Sequence, residues 1–211
     1  DVRGNIGPVT EALMDALNCP FTIATPAFPD NQRTVFKGHL FVGDVLLSES
    51  GMKNHPLTPM RDANLVNVLQ AQCQRKVGLI DFKTVALGAT PVTARIAELQ
   101  AQGVQIAVVD ALSNDDLYKL GPALKDMRLL TAGSGVAIAL PANWGIKPSA
   151  ASAQLPPAIG LKAIVSGSCS LATQGQVAHF LQHHPQQAWQ LDPLKWAHNT
   201  PVAELAAPVL Q

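Results

Sequence analysis

Four short stretches of this chain hold residue types that bind small anionic or hydroxylated ligands. Gly4-Asn5-Ile6-Gly7-Pro8 runs into an expected helix start. Small residues there admit a ligand to the backbone, and first-turn N–H groups carry partial positive charge that favours a carboxylate or phosphate. Arg33 and Lys37 lie in Arg33-Thr34-Val35-Phe36-Lys37-Gly38-His39, and His55 follows in His55-Pro56-Leu57-Thr58-Pro59-Met60. A guanidinium fork, an ammonium and an imidazole suit a small polyhydroxy acid, because Arg pairs bidentately with a carboxylate while Thr or His bonds to hydroxyls. Thr131-Ala132-Gly133-Ser134-Gly135 reads as a backbone nest that favours an anion. Ser166-Gly167-Ser168-Cys169-Ser170 offers hydroxyls and N–H groups to a phosphate or an adenosine edge. Each stretch also has a plainer reading, as a capping turn, a solvated hairpin or a packing segment.

Other chemistries fit less well. Ser134 falls one residue short of the nucleophile-elbow pattern, Ala132 stands where its first Gly belongs, and no acid-then-His order follows, so a serine hydrolase is disfavoured. The Ser166–Ser170 stretch has no Gly-Lys-Ser/Thr and is not a Walker loop. Cys169 has no placed partner base and reads as a packing thiol. His179 and His183 have helical metal-ligand spacing, with His184 adjacent, but no carboxylate or Cys completes a set, so a polar helix face is expected. Trp189 and Trp196 read as core or domain-contact residues.

The elements that must position these stretches are legible in outline. A helix is expected from Gly7-Pro8, with Val9, Ala12, Leu13, Ala16 and Leu17 on one apolar face, then a buried strand Phe21–Ala24. Arg33 to Val42 reads as two short strands around Lys37-Gly38, and Ser48 to Pro59 as a long ordered loop or lid. Asp62–Gln72 is a helix, Val77–Ile80 a strand, and Thr90-Pro91 caps and opens a helix through Leu99 that Gly103 ends. Val104–Val109 is a strand, Ser113 and Asp116 form a capping box for a helix to about Lys125, and Leu129-Leu130 is a brief strand. The alternation predicts an α/β fold, a layered domain with a mainly parallel sheet over residues 1–145. Residues 146–160, rich in Pro and Ala, read as a linker. A strand Leu161–Val165 and a helix from about Thr173 to Gln182 then open a second α/β domain, 161–211.

Composition narrows the function classes. Fifteen Lys plus Arg balance fifteen Asp plus Glu across 211 residues, so no global field draws in nucleic acid or an anionic membrane. Aromatics are 5%, too sparse for stacking platforms, and no apolar run reaches membrane-span length. Three widely spaced cysteines suggest no disulfide framework or metal cluster, and a reduced, cytoplasmic compartment is expected. The chain starts at Asp1 without Met and stops at Gln211 just beyond an expected helix, so a piece of a longer protein is expected.

Taken in order, Gly4-Asn5-Ile6-Gly7-Pro8-Val9-Thr10-Glu11-Ala12-Leu13, Pro26-Ala27-Phe28-Pro29, Arg33-Thr34-Val35 with Gly38-His39-Leu40-Phe41-Val42, His55 to Met60, Gly133-Ser134-Gly135 and Ser166 to Ser170 resemble the four-carbon acid sugar kinase family, nearest its 3-oxo-tetronate kinase branch. The resemblance runs over essentially the whole chain. It implies an N-terminal α/β domain that binds the acid sugar and a C-terminal domain that binds ATP. The implied reaction phosphorylates the terminal hydroxyl of 3-oxo-tetronate, with ATP and Mg²⁺ as cofactors. Carried over by position, Gly4, Asn5, Gly7, Arg33, Lys37 and His55 would bind the acid sugar, and Ser166, Gly167 and Ser168 the ATP. The family's Asp-Asp-Phe-Thr-Gly-type motif and its later Gly-rich, Asp-containing nucleotide motif do not occur here, and Ala132 replaces a family Gly. The catalytic acidic residue is therefore expected outside this sequence, none is named, and the polypeptide alone is expected not to turn over. A non-catalytic acid-sugar-binding module, or a kinase for threonate or erythronate, are the alternatives. The expected partners are an acid sugar and ATP, without nucleic acid or membrane; the resemblance is also compatible with a homo-oligomer.

Overall fold

The centre of the fold is a run of apolar residues that alternation alone cannot place. Val104–Val109 (β6) is buried at nearly every position because it lies inside a parallel sheet, covered on both faces. The computed structural model describes residues 4–55, 58–168, 170–185, 188–192 and 201–207. The chain divides into two compact units, Asp1–Ala153 and Gln154–Gln211.

In the first unit, β1 (Thr22–Thr25), β5 (Lys76–Ile80), β6 and β7 (Leu130–Ala132) form one sheet in the order β5-β6-β1-β7. Every pairing in it is parallel, so the four carboxyl ends share one edge. A second, antiparallel sheet joins β2 (Arg33–Phe36), β3 (His39–Val42) and β4 (Val45–Leu46). The helices are α1 (Ile6–Ala16), α2 (Leu65–Gln70), α3 (Phe82–Ala86), α4 (Ala89–Ala101) and α5 (Asn114–Leu120). The α/β class and mainly parallel sheet are as expected, and so is the capping box, where Ser113 Oγ accepts from the Asp116 amide.

Three local expectations need correction. The apolar stripe of α1 does not face the core: Ile6, Val9, Leu13 and Leu17 are exposed, at 57%, 50%, 44% and 36%, while Gly7, Thr10 and Met14 are buried. Polar and close contacts set the helix rotation instead. Thr10 Oγ1 lies 3.0 Å from Thr131 Oγ1, the Arg75 amide donates to Glu11 Oε1, and the Arg75 guanidinium pairs with Asp15. The cap of α4 is Gly88, at φ +93°, not Thr90. Thr90 and Pro91 lie inside the first turn, where a missing N–H costs no hydrogen bond. The helix α3, capped by Asp81, was not read from the sequence at all.

The loop from Ser48 to Pro59 is anchored rather than free. Leu47, buried, and Met60, packed on the core, flank it; 3-10 turns run over Leu47–Glu49 and Gly51–Asn54, and Met52 within it also packs on the core. Cys19 and Cys73 are free and buried. Burial, helped by the Glu11 charge and opposed by Arg75, pushes the Cys73 thiol up to about 11, so it stays protonated and unreactive at neutral pH.

The second unit is described by itself. Its main element is α6 (Leu171–His183), with Ser170 Oγ accepting from the Thr173 amide, and a short helix Val202–Ala206 follows. The strand expected at Leu161–Val165 does not form. Leu161, Ile164 and Val165 are exposed, and the strand lacks what it needs, a neighbour to take its hydrogen bonds, since the described residues of this unit form no strand. Trp189 is 51% exposed, so it is not a core residue. Cys169 and Trp196 lie outside the described residues.

Candidate functional site

The β2–β3 hairpin lies along the carboxyl edge of the parallel sheet. At one end the Phe28 amide donates to the Arg33 carbonyl and the Arg33 amide to the Phe28 carbonyl, and Phe28 belongs to the loop after β1. In the middle, Val35 exchanges two backbone hydrogen bonds with Ala111, just beyond β6. At the other end, Lys37-Gly38 turns over Asp81 and Asp110, the residues that follow β5 and β6. The carboxyl ends of an open parallel sheet are where ligands bind in α/β folds, because the loops there diverge and their side chains converge.

The turn itself is a two-residue connection with positive φ at both positions, +52° at Lys37 and +75° at Gly38. Lys at the first position is unusual, because Asn, Asp or Gly is favoured there, and Asp110 explains how it is held. Asp110 is 0% exposed. Its Oδ2 accepts from the Lys37 amide at 2.7 Å and the Phe82 amide at 2.9 Å, and its Oδ1 from the Gly38 amide at 2.8 Å. One carboxylate thus binds the hairpin turn to the first turn of α3. Burial pushes its carboxyl above the ordinary value; the three amides offset part of the rise, and the Asp81 charge adds to it.

Asp81 holds the Lys37 side chain, with Oδ2 3.4 Å from Nζ, while its Oδ1 accepts from the Thr84 amide and hydroxyl. The ammonium lies 5.4 Å from the centre of the Phe82 ring, which tilts against Phe36 at 4.8 Å. His39 Nδ1 donates to the Lys37 carbonyl. Partial burial alone would raise the Asp81 carboxyl, but the Thr84 and Lys37 hydrogen bonds outweigh it and hold it below the ordinary value. Asp81 therefore stabilises the fold above the ordinary aspartate range, and this contribution is lost as pH falls through the lowered value. Asp81→Asn is expected to be less stable than the parent at pH 7, with the gap closing toward pH 3 in urea titrations.

At the β1–β7 end of the same edge, the Gly133 amide donates to the Thr25 carbonyl, and Gly135 packs against the backbone of Ala27 and Phe28. The nest and the Pro26-Ala27-Phe28-Pro29 loop are therefore one packed unit. It touches the Arg33 end of β2 through Phe28. A cavity of about 360 Å³ lined by Gln32, Thr34, Gly43 and Asp44 opens at that end of the hairpin.

The other expected site residues sit differently. Gly4 is half-buried, and Asn5 is exposed at the N-cap of α1 without a side-chain cap bond. Gly7 is a packing residue. Its amide donates to Gln72 Oε1, and an added Cβ would lie 2.5 Å from the Gln72 Cβ and 2.9 Å from its carbonyl. Gly7→Ala is expected to lower stability by about 2 kcal/mol in urea unfolding; Gly167→Ala, which meets nothing within 4 Å, is the neutral control. His55 Nδ1 accepts from the Thr58 amide at 3.0 Å and lies 3.1 Å from the Thr58 hydroxyl, so it closes its own loop. Pro56 and Leu57 of that loop lie outside the described residues. The hydrogen bonds thus gather Arg33, Lys37 and the nest along one edge, and tie Gly7 and His55 to other neighbours.

The family model described as a sugar-binding N-terminal domain matches residues 2–140. The chain belongs to this family. It is 53% identical over 207 residues to a 3-oxo-tetronate kinase of Burkholderia multivorans, covering 96% of this chain and 48% of that protein. It is 52% identical over 206 residues to a 3-oxo-tetronate kinase of Pseudomonas fluorescens, with the same two coverages. The crystal structure of a Haemophilus influenzae protein matches it with a TM-score of 0.70 at 45% identity, covering 99% of this chain and 50% of that one. The chain spans about half the length of the curated relatives it matches.

In this member of the sugar-binding N-terminal domain family, the residues missed by sequence reasoning are the two carboxylates at the edge. A strand followed directly by Asp, as in Ile80-Asp81 and Val109-Asp110, was the available signal. Beyond the matched region, Ser166, Gly167 and Ser168 are exposed and lead into α6, and Ser168 Oγ accepts from the Ser170 amide. The His179 and His183 rings lie 4.5 Å apart on α6, and His183 Nδ1 donates to the His179 carbonyl. Among the described residues no group of three or more His, Cys, Asp or Glu is placed to hold a metal ion, and no helix is long and apolar enough to cross a membrane.

Proposed function

We propose that this chain is the acid-sugar-binding portion, with the start of the nucleotide-binding portion, of an ATP-dependent kinase acting in the cytoplasm on 3-oxo-tetronate. The product is the 4-phosphate. The observation that carries this reading is the 52–53% identity, over nearly the whole chain, to proteins named 3-oxo-tetronate kinase. The edge of the parallel sheet supports it, because Arg33 stands there beside the glycine nest and Lys37 at the other end of the same hairpin, so a short anionic sugar meets cations and backbone donors along one edge.

Phosphoryl transfer needs little covalent chemistry from the protein and depends on positioning and charge neutralisation. Arg33 and Lys37 bind and orient the acid sugar. Ser166, Gly167 and Ser168 contact the nucleotide from an exposed segment at the start of α6, with ATP as phosphoryl donor. Mg²⁺ would neutralise the phosphate charge, held mainly by the phosphates themselves, since among the described residues no group of three or more His, Cys, Asp or Glu is placed to hold an ion.

The test is acid-sugar-dependent ADP release by the full-length gene product. Turnover with 3-oxo-tetronate above threonate and erythronate is expected. Preference for either of those acids transfers the assignment to a kinase for that acid. Binding without any ADP release leaves a non-catalytic acid-sugar module and overturns the kinase.

A further inference from the structure

The Lys37–Asp81 pair has the layout of a hydroxyl reader and not of a carboxylate clamp. An ammonium carries three donors, and among the described residues the Lys37 Nζ has one hydrogen-bond acceptor, Asp81 Oδ2. Asp81 is committed to Thr84 through Oδ1 alone, so Oδ2 retains a lone pair beside the ammonium. A ligand carboxylate approaching Lys37 would meet a second carboxylate within contact distance, and like charges that close repel. A hydroxyl satisfies both partners: its oxygen accepts from Lys37, and its proton goes to Asp81 Oδ2. Phe82 under the ammonium and the 38%-exposed Phe36 beside it form an apolar wall that suits the C–H face of a short carbon chain. Arg33, exposed at the opposite end of β2, is in none of the ion pairs among the described residues and is the guanidinium left for the acid group.

We infer that Lys37 and Asp81, with Phe82 beside them, form a subsite that binds a hydroxyl-bearing carbon of the acid sugar, leaving its carboxylate to Arg33. The inference rests on the acid-sugar reading above. The sign of one substitution tests it. Asn also caps helices well, so Asp81→Asn keeps α3 while removing the charge. Calorimetric titration with 3-oxo-tetronate and with threonate is expected to show Asp81→Asn binding about tenfold more weakly than the parent, since a hydrogen bond to a charged acceptor becomes a neutral one. Lys37→Met is expected to weaken binding as well. Tighter binding by Asp81→Asn would mean that Lys37 takes the carboxylate and Asp81 opposes it, and would overturn the subsite; so would binding unchanged within twofold. Circular dichroism of each variant confirms that the fold is kept. Failure of the unaltered protein to bind either acid would instead remove the acid-sugar reading, and the subsite with it.

Discussion

Asp110→Ala is expected to lower the unfolding free energy of the first unit by about 4 kcal/mol, among the largest effects available to a single substitution here. The truncation leaves the amides of Lys37, Gly38 and Phe82 without their acceptor in a site closed to water. Unsatisfied buried donors cost about 1–3 kcal/mol each. The loss is also concentrated: two elements, the hairpin turn and the start of α3, are released together. Asp110→Asn keeps the shape but places a donor where Oδ2 accepts two amides, so it is expected to fall between Ala and the parent. Urea midpoints of the three proteins check the ranking. Equal stability of Asp110→Ala and the parent would show that the turn is held by something else.

Gly135→Val is expected to cost about 3 kcal/mol and to loosen the nest from the loop after β1. A Cβ at this position runs into the Ala27 carbonyl and lies 3.0 Å from the Phe28 Cα. Those are backbone atoms, and they cannot rotate away as a side chain would. The change propagates to Arg33, whose backbone is paired with Phe28. Thermal unfolding reports the loss. Hydrogen exchange at the Arg33 and Phe28 amides reports the loosening, with faster exchange expected at both and unchanged exchange at Val108 in β6.

Much of the first unit was legible in the sequence because its elements carry local signals. The hairpin around Lys37-Gly38 and the Ser113–Asp116 capping box follow from turn and cap chemistry that needs no tertiary information. The rotation of α1 was not legible. Its apolar stripe points one way, and the buried face is chosen by Gly7, Thr10 and the Arg75 contacts, which belong to residues 60 or more positions away. The role of Asp110 was only half legible: its place directly after a strand was visible, but the three amides it accepts come from distant segments that no local spacing reveals. The strand expected at Leu161–Val165 shows the converse limit. An apolar, β-branched run has strand propensity, yet only a pairing partner makes it a strand.

The central claim is that the carboxyl edge of this sheet binds a four-carbon sugar acid, and thermal unfolding of this 211-residue chain tests it most directly. Saturating 3-oxo-tetronate is predicted to raise the melting temperature in a concentration-dependent way, with the rise reduced in Arg33→Ala, while ATP alone shifts it little. No shift with 3-oxo-tetronate, threonate or erythronate, or a shift that survives Arg33→Ala together with Lys37→Met, would contradict it.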